Sequence, residues 1–202
     1  MRENIISSRG YSQNIAGDEL SLKIASYPST AAYLANRLKG KGETVCELCC
    51  GIGISLIELA KAFKNVIGVD NDASILDACK RNLRNVPVEN STLLLGDVSS
   101  PELLNKIKAD VVLYDIPYWS DHNGKVDAKR QNPDLSTLIK NIRQLITHDI
   151  VIYAPSHMHY SEIKALVGEC EYVQIYINGK YDRNFIFLGG LIEKPGPHKV
   201  EV

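Results

Sequence analysis

No apolar run in the sequence approaches the roughly 20 residues that a membrane-crossing helix requires. The first residues are polar and acidic where a secretory leader carries an apolar core, which predicts a cytoplasmic protein with no membrane partner. Neither sign of charge is in excess: 23 lysines and arginines face 24 aspartates and glutamates, for a net charge of −1. That balance does not advertise a nucleic-acid partner, although it leaves room for a local basic patch. Low-complexity tracts are absent too, and 202 residues that are 45% hydrophobic suffice for one domain with a substantial core but not for two large ones.

The cysteines lack the pattern of a disulfide framework, being five in number with three crowded at positions 46, 49 and 50. Cys46 and Cys49 make a C-x-x-C, yet a metal site needs about four ligands, and Cys79, Cys170 or a histidine would have to complete it. The expectation is small buried residues of a strand and turn, with no metal.

What is present centres on residues 45–55, Val-Cys-Glu-Leu-Cys-Cys-Gly-Ile-Gly-Ile-Ser. It reads as a short strand, a glycine turn, and a helix opening through Leu56, Ile57, Leu59 and Ala60. Gly51 and Gly53 let the backbone take left-handed angles and approach a ligand closely, while the new helix presents free N–H groups. The third glycine of the dinucleotide-binding G-x-G-x-x-G is missing, because Leu56 stands in its place, and an acid, Glu47, precedes the turn.

Upstream, residues 1–26 carry only broken apolar runs and read as an irregular, possibly flexible N-terminal arm, with a strand or helical turn near Leu20 to Ile24. Tyr27-Pro28-Ser29-Thr30 then opens a helix that stops at Gly40 or Gly42, with Ser29 or Thr30 as its cap. Downstream, Val66-Ile67-Gly68-Val69-Asp70 is a buried strand ending in an acid 19 residues beyond Gly51, where a carboxylate can accept bonds from vicinal ribose hydroxyls. Asp72 caps the next helix, Ser74 to Asn85. Leu93 to Val98 reads as a third strand ending in Gly96-Asp97, Pro101 to Lys108 as a helix, and Ala109 to Tyr114 as a fourth buried strand that runs into Asp115-Ile116-Pro117-Tyr118-Trp119. In an open parallel sheet, ligands bind beyond the carboxyl ends of the strands, which puts Asp115 on the same side as the glycine turn.

After a polar loop at 120–134 holding Lys125, Lys129 and Arg130 come a helix (Leu135 to Ile146), a fifth strand (Asp149 to Pro155) with His157 and His159 just past it, and a helix from Ser161 to Gly168. Two β-rich runs, Tyr172 to Ile177 and Asn184 to Ile192, flank Asn178-Gly179 and predict a hairpin. Residues 193–202 hold two prolines and read as a loose C-terminal tail.

The E-x-x-x-G-x-G turn resembles the first motif of class I S-adenosylmethionine-dependent methyltransferases, and Asp115 to Trp119 resembles the (Asp/Asn/Ser)-Pro-Pro-aromatic motif of those that modify exocyclic or amide nitrogens. In order, the segments from Tyr27 to Ile192 look like the catalytic domain of the trimethylguanosine synthase family, the RNA cap guanine-N2 methyltransferases. The resemblance implies a Rossmann-like α/β class I methyltransferase fold over residues 27–192, with a mostly parallel seven-stranded sheet, a C-terminal antiparallel hairpin and helices on both faces. It implies S-adenosyl-L-methionine held by Thr30, Glu47, Cys49, Gly51, Gly53, Asp70, Asn71, Gly96, Asp97, Val98 and Asp115. It further implies an RNA substrate at Asp115, Ile116, Pro117, Tyr118 and Trp119, where Asp115 orients the amine and Tyr118 or Trp119 stacks on the base. The family's Ser-Pro-Pro-Trp-Gly-Gly appears here as Asp115-Ile116-Pro117-Tyr118-Trp119-Ser120, so Tyr118 stands where the family's stacking Trp does, and cap specificity does not follow. Methylation of a protein amide or small molecule, and a non-catalytic cofactor- or RNA-binding module, stay open, as do the number of methyl groups added and the oligomeric state.

Overall fold

The computed structural model describes residues 2–115, 134–154 and 158–202. The chain falls into two compact units, Met1–Asp97 and Val98–Val202. Among the described residues the strands number eight rather than the expected seven, and the helix–strand alternation is the Rossmann-like α/β pattern. Among the described residues no helix is long and apolar enough to cross a membrane.

The first unit runs α1 (Arg2–Arg9), α2 (Glu19–Ile24), α3 (Pro28–Leu38), β1 (Thr44–Leu48), α4 (Ile54–Ala62), β2 (Asn65–Asp70), α5 (Ala73–Arg84) and β3 (Ser91–Leu95). Its strands lie in the order β3-β2-β1, all parallel, with Leu48 beside Val69 and Asp70 beside Leu95. That register brings the three carboxyl ends level. The buried β1 residues Val45 and Cys46 and the β2 residues Val66 and Val69 make this a sheet covered on both faces, which parallel pairing demands.

Residues 2–26 differ from the irregular arm expected. They form two helices, and Ile6, Tyr11, Ile15 and Leu22 are buried with Ala31, Ile52, Ile54 and Ala78 in one cluster. These apolar residues are spaced singly, so they give no helical period to read; it is their common burial that orders the segment. Polar ties add to it. Asp18 caps α2 by accepting from the Ser21 amide at 2.7 Å, and Arg9 donates to the Ala25 carbonyl at 2.6 Å while its guanidinium covers the Tyr27 ring. Nor do Ser29 or Thr30 cap α3. Tyr27 is the cap residue, and Pro28, whose fixed φ suits a first helical position, starts the helix without a side-chain bond.

The second unit holds α6 (Pro101–Leu104), β4 (Val111–Asp115), α7 (Leu135–Leu145), β5 (Ile150–Ala154), α8 (Tyr160–Val167), β6 (Glu171–Ile177), β7 (Lys180–Leu188) and β8 (Gly196–Glu201). Strand order is β4-β5-β7-β6-β8; β4 and β5 are parallel, and β7 is antiparallel to both β5 and β6. Asn178 and Gly179, both at positive φ, turn the predicted hairpin, and β7 begins at Lys180 rather than Asn184.

Residues 193–202 are not a loose tail, since β8 pairs in parallel with β6. The cause is a buried carboxylate: Glu171, only 3% exposed, accepts from the amides of Glu193 at 2.7 Å and Lys194 at 3.2 Å, and its other oxygen lies 3.4 Å from His198 Nε2. Those bonds fix the approach to β8. We expect Glu171→Ala to lower stability by about 2 kcal/mol through the loss of bonds to a charged acceptor and to speed amide exchange selectively in residues 196–201. Urea unfolding and hydrogen exchange test this, and unchanged exchange in β8 would contradict it.

Candidate cofactor site

The level strand ends of the first unit meet at residues 49–53. After β1 the chain turns through Cys49 at φ 62°, Gly51 at φ 54° and Gly53 at φ 82°, three left-handed residues in five. For a residue with a side chain this region is costly, so Cys49 stores strain that glycine would not. Hydrogen bonds hold the turn: the Cys50 amide donates to the Val69 carbonyl at 2.9 Å, and the Gly53 amide to the Cys50 carbonyl at 3.1 Å. Gly53 is the cap residue of α4 and has no side chain with which to satisfy the helix's first amides.

Asp70, at the tip of β2, ties the turn to the rest of the sheet. Its Oδ2 accepts from the Gly51 amide at 3.0 Å and its Oδ1 from the Asp72 amide at 3.1 Å, while its carbonyl accepts from the Gly96 amide at 3.0 Å. Glycine turn, acid and Gly96 are therefore one bonded unit. Asp72 caps α5 as expected, and its bonds to Ser74 and Ile75 hold its carboxyl below the usual range.

The other predicted residues of this unit occupy different environments. Glu47 is buried within β1, Thr30 is fully buried in the first turn of α3, and Asn71 and Asp97 are exposed. Cys49 is half-buried, and Cys46 and Cys50 are buried. A hydrogen bond with Cys79, then burial, pushes the Cys50 thiol up, and burial does the same to Cys46. Neither is poised as a thiolate. Val98 and Asp115 belong to the second unit; Asp115 is half-buried at the end of β4, beside Tyr153 of β5. Ile116, Pro117, Tyr118 and Trp119, together with the loop at 120–133 and His157, lie outside the described residues. His159 starts α8, where its amide donates to Glu162 at 3.2 Å.

One residue at the turn escaped the sequence reading. Asn82, on the apolar face of α5 and 1% exposed, donates from Nδ2 to the Ile52 carbonyl at 2.9 Å. A polar residue amid Leu76, Cys79 and Leu83 was the available signal.

With this geometry in view, the model of one family, RNA cap guanine-N2 methyltransferase, matches residues 42–190. The chain belongs to the RNA cap guanine-N2 methyltransferase family. It is 33% identical over 95 residues to an uncharacterized RNA methyltransferase of Gloeobacter violaceus, covering 44% of this chain and 20% of that one. A second, from Clostridium tetani, is 37% identical over 83 residues, or 40% of this chain and 18% of the other. The chain thus spans about a fifth of the length of the curated relatives it matches.

Among solved structures, a candidate methyltransferase from Porphyromonas gingivalis W83 superposes with a TM-score of 0.73 at 18% identity, over 89% of this chain and 44% of that one. The magnesium protoporphyrin IX methyltransferase of Synechocystis PCC 6803 with bound SAM gives 0.59 at 17% identity, over 93% and 94%. These likenesses show the class I methyltransferase fold.

For this guanine-N2 methyltransferase family member the cofactor is S-adenosyl-L-methionine. The first unit fits it. Each Asp70 oxygen accepts one amide and keeps capacity for a hydroxyl. A Cβ placed on Gly51 would meet none of the described residues within 4 Å, so the turn's face is open toward them there. At Gly53 the same atom would stand 2.4 Å from Cys79 Sγ. Gly51→Ala should therefore cost about 1 kcal/mol from its left-handed φ alone, and Gly53→Ala about 1 to 3 kcal/mol more from overpacking. Adding Cys79→Ala to Gly53→Ala should return part of that difference in urea unfolding; equal costs at the two glycines would refute the contact.

Proposed function

We propose that the protein transfers the methyl group of S-adenosyl-L-methionine to an exocyclic amine of an RNA base, with guanine N2 as the acceptor. The observation that carries the reading is the bonded unit of glycine turn, Asp70 and Gly96 at the level ends of three parallel strands, in a chain of this family. When bound, the cofactor supplies an electrophilic methyl group on a sulfonium. Gly51, Gly53 and Cys49 would line its methionine end with Glu47 and Thr30, Asp70 and Asn71 its ribose, and Gly96, Asp97 and Val98 its adenine.

An aryl amine is a poor nucleophile because its lone pair is conjugated with the ring. In our reading Asp115 accepts one of its N–H bonds and the Ile116 carbonyl the other. Those two acceptors draw the nitrogen toward tetrahedral geometry and free the lone pair. Pro117 sets the shape of the loop, and Tyr118 or Trp119 stacks on the flat base. Holding donor and acceptor in line supplies most of the acceleration, since the amine proton becomes acidic on alkylation and no strong base is required. The names of the curated relatives, both RNA methyltransferases, support an RNA acceptor; the family description supports guanine N2.

Calorimetry with S-adenosyl-L-methionine should show Asp70→Ala binding at least about tenfold more weakly than wild type, the effect of losing one charge-assisted contact; equal affinity would contradict the ribose contact. Tritium transfer from labelled cofactor into total RNA should collapse in Asp115→Ala, and retained transfer would defeat the role given to its carboxylate. Label that survives ribonuclease treatment of the acceptor would point to a protein or small molecule instead.

A further inference from the structure

The glycine turn is held from behind as well as from the sheet. Asn82 makes three hydrogen bonds from a side chain that is 1% exposed. Its Oδ1 accepts from the Ala16 amide at 2.6 Å, and its Nδ2 donates to the Ala16 carbonyl at 2.9 Å and to the Ile52 carbonyl at 2.9 Å. One amide side chain thus reads both backbone groups of a residue in the N-terminal segment and one backbone group in the middle of the turn. The sequence separation of 66 between Ala16 and Asn82 makes this a long-range tie rather than a local cap.

The Ile52 side chain repeats the connection. It is 2% exposed and sits in the cluster of Ile6, Tyr11, Ile15 and Leu22 from the N-terminal segment. A Cβ on Gly17 would lie 3.3 Å from Ile52 Cδ1, so segment and turn are in close contact. Ile52 stands between the two glycines, so its backbone atoms help define the ψ of Gly51 and the φ of Gly53. Arg2 reinforces the segment by donating to the Ile15 carbonyl. Asn85, one turn further along α5, donates to the Asn14 carbonyl at 3.2 Å without reaching the turn.

We infer that Asn82 is a positioning residue that couples order in residues 2–17 to the glycine turn, so that cofactor binding and docking of the N-terminal segment strengthen each other. The inference rests on the cofactor reading given above. A turn with three left-handed residues samples other shapes when unsupported, and binding then costs whatever is needed to restore the competent one. Asn82 and Ile52 remove part of that cost in advance. By reciprocity, a ligand that favours the competent turn also favours the docked segment.

The test uses the full chain and S-adenosylhomocysteine, so no acceptor is required. Calorimetry should give about tenfold weaker binding for Asn82→Ala, the loss of roughly one net hydrogen bond of turn stabilisation, and wild-type binding within twofold for Asn85→Ala. In wild type, saturating ligand should slow exchange of the Ala16 amide about tenfold, and in folded Asn82→Ala that slowing should vanish. A purely structural Asn82 would lower the unfolding midpoint when replaced, and wild type would then show no ligand-dependent slowing at Ala16. Should Asn82→Ala fail to fold by circular dichroism, the wild-type exchange decides: slowing supports the coupling, and no change overturns it. Wild type that binds, with Asn82→Ala binding equally well, overturns the inference alone; wild type that does not bind removes the cofactor reading.

Discussion

One hydrogen bond organises the candidate site: the Gly51 backbone amide donating to the Asp70 side-chain carboxylate at 3.0 Å. It joins the loop after β1 to the end of β2, and it forms only because the parallel register sets Leu48 beside Val69 and leaves Asp70 level with the turn. A hydrogen bond to a charged acceptor contributes about 1.5 to 3 kcal/mol, enough to offset the left-handed backbone at Cys49 and to select one turn shape among several. The same aspartate, through its carbonyl, also fixes Gly96 beyond β3. Three strand ends thereby share a single anchor, and a ligand laid across them meets preset groups rather than groups it must gather.

Much of this was legible in the residues. Each buried parallel strand is a short apolar run, as in Val66 to Val69 and Val111 to Tyr114, because both faces of such a strand lie against other elements. The turn and its acid were legible from glycine spacing, since few residues can take those angles. Asn178-Gly179 marked the hairpin for the same reason. Elements held by something other than pattern were not legible. The N-terminal helices depend on four widely spaced apolar residues and on bonds to distant carbonyls, and β8 depends on a carboxylate at position 171. Asn82 looked like one more polar residue of an amphipathic helix until its three partners were seen.

The cysteines illustrate how a suggestive spacing can serve packing. Cys46 lies in β1, while Cys50 and Cys79 touch behind the turn, where Cys79 fills the space beside Gly53. Burial pushes the Cys46 thiol up, and the hydrogen bond with Cys79, then burial, pushes up that of Cys50, so these two behave as compact apolar groups. Cys49 differs. It is half-buried on the turn with strained backbone, and its side chain faces an environment closer to solvent.

The strand formed by Gly196–Glu201 has a bearing beyond the fold's interior. By pairing with β6 it occupies hydrogen-bonding groups that would otherwise form an open template for a second chain. The new margin of the sheet carries Pro197, which offers no amide, and the charged Lys199 and Glu201, a composition common on unpaired sheet edges. Six residues thus cover the edge that β6 would otherwise present to another strand.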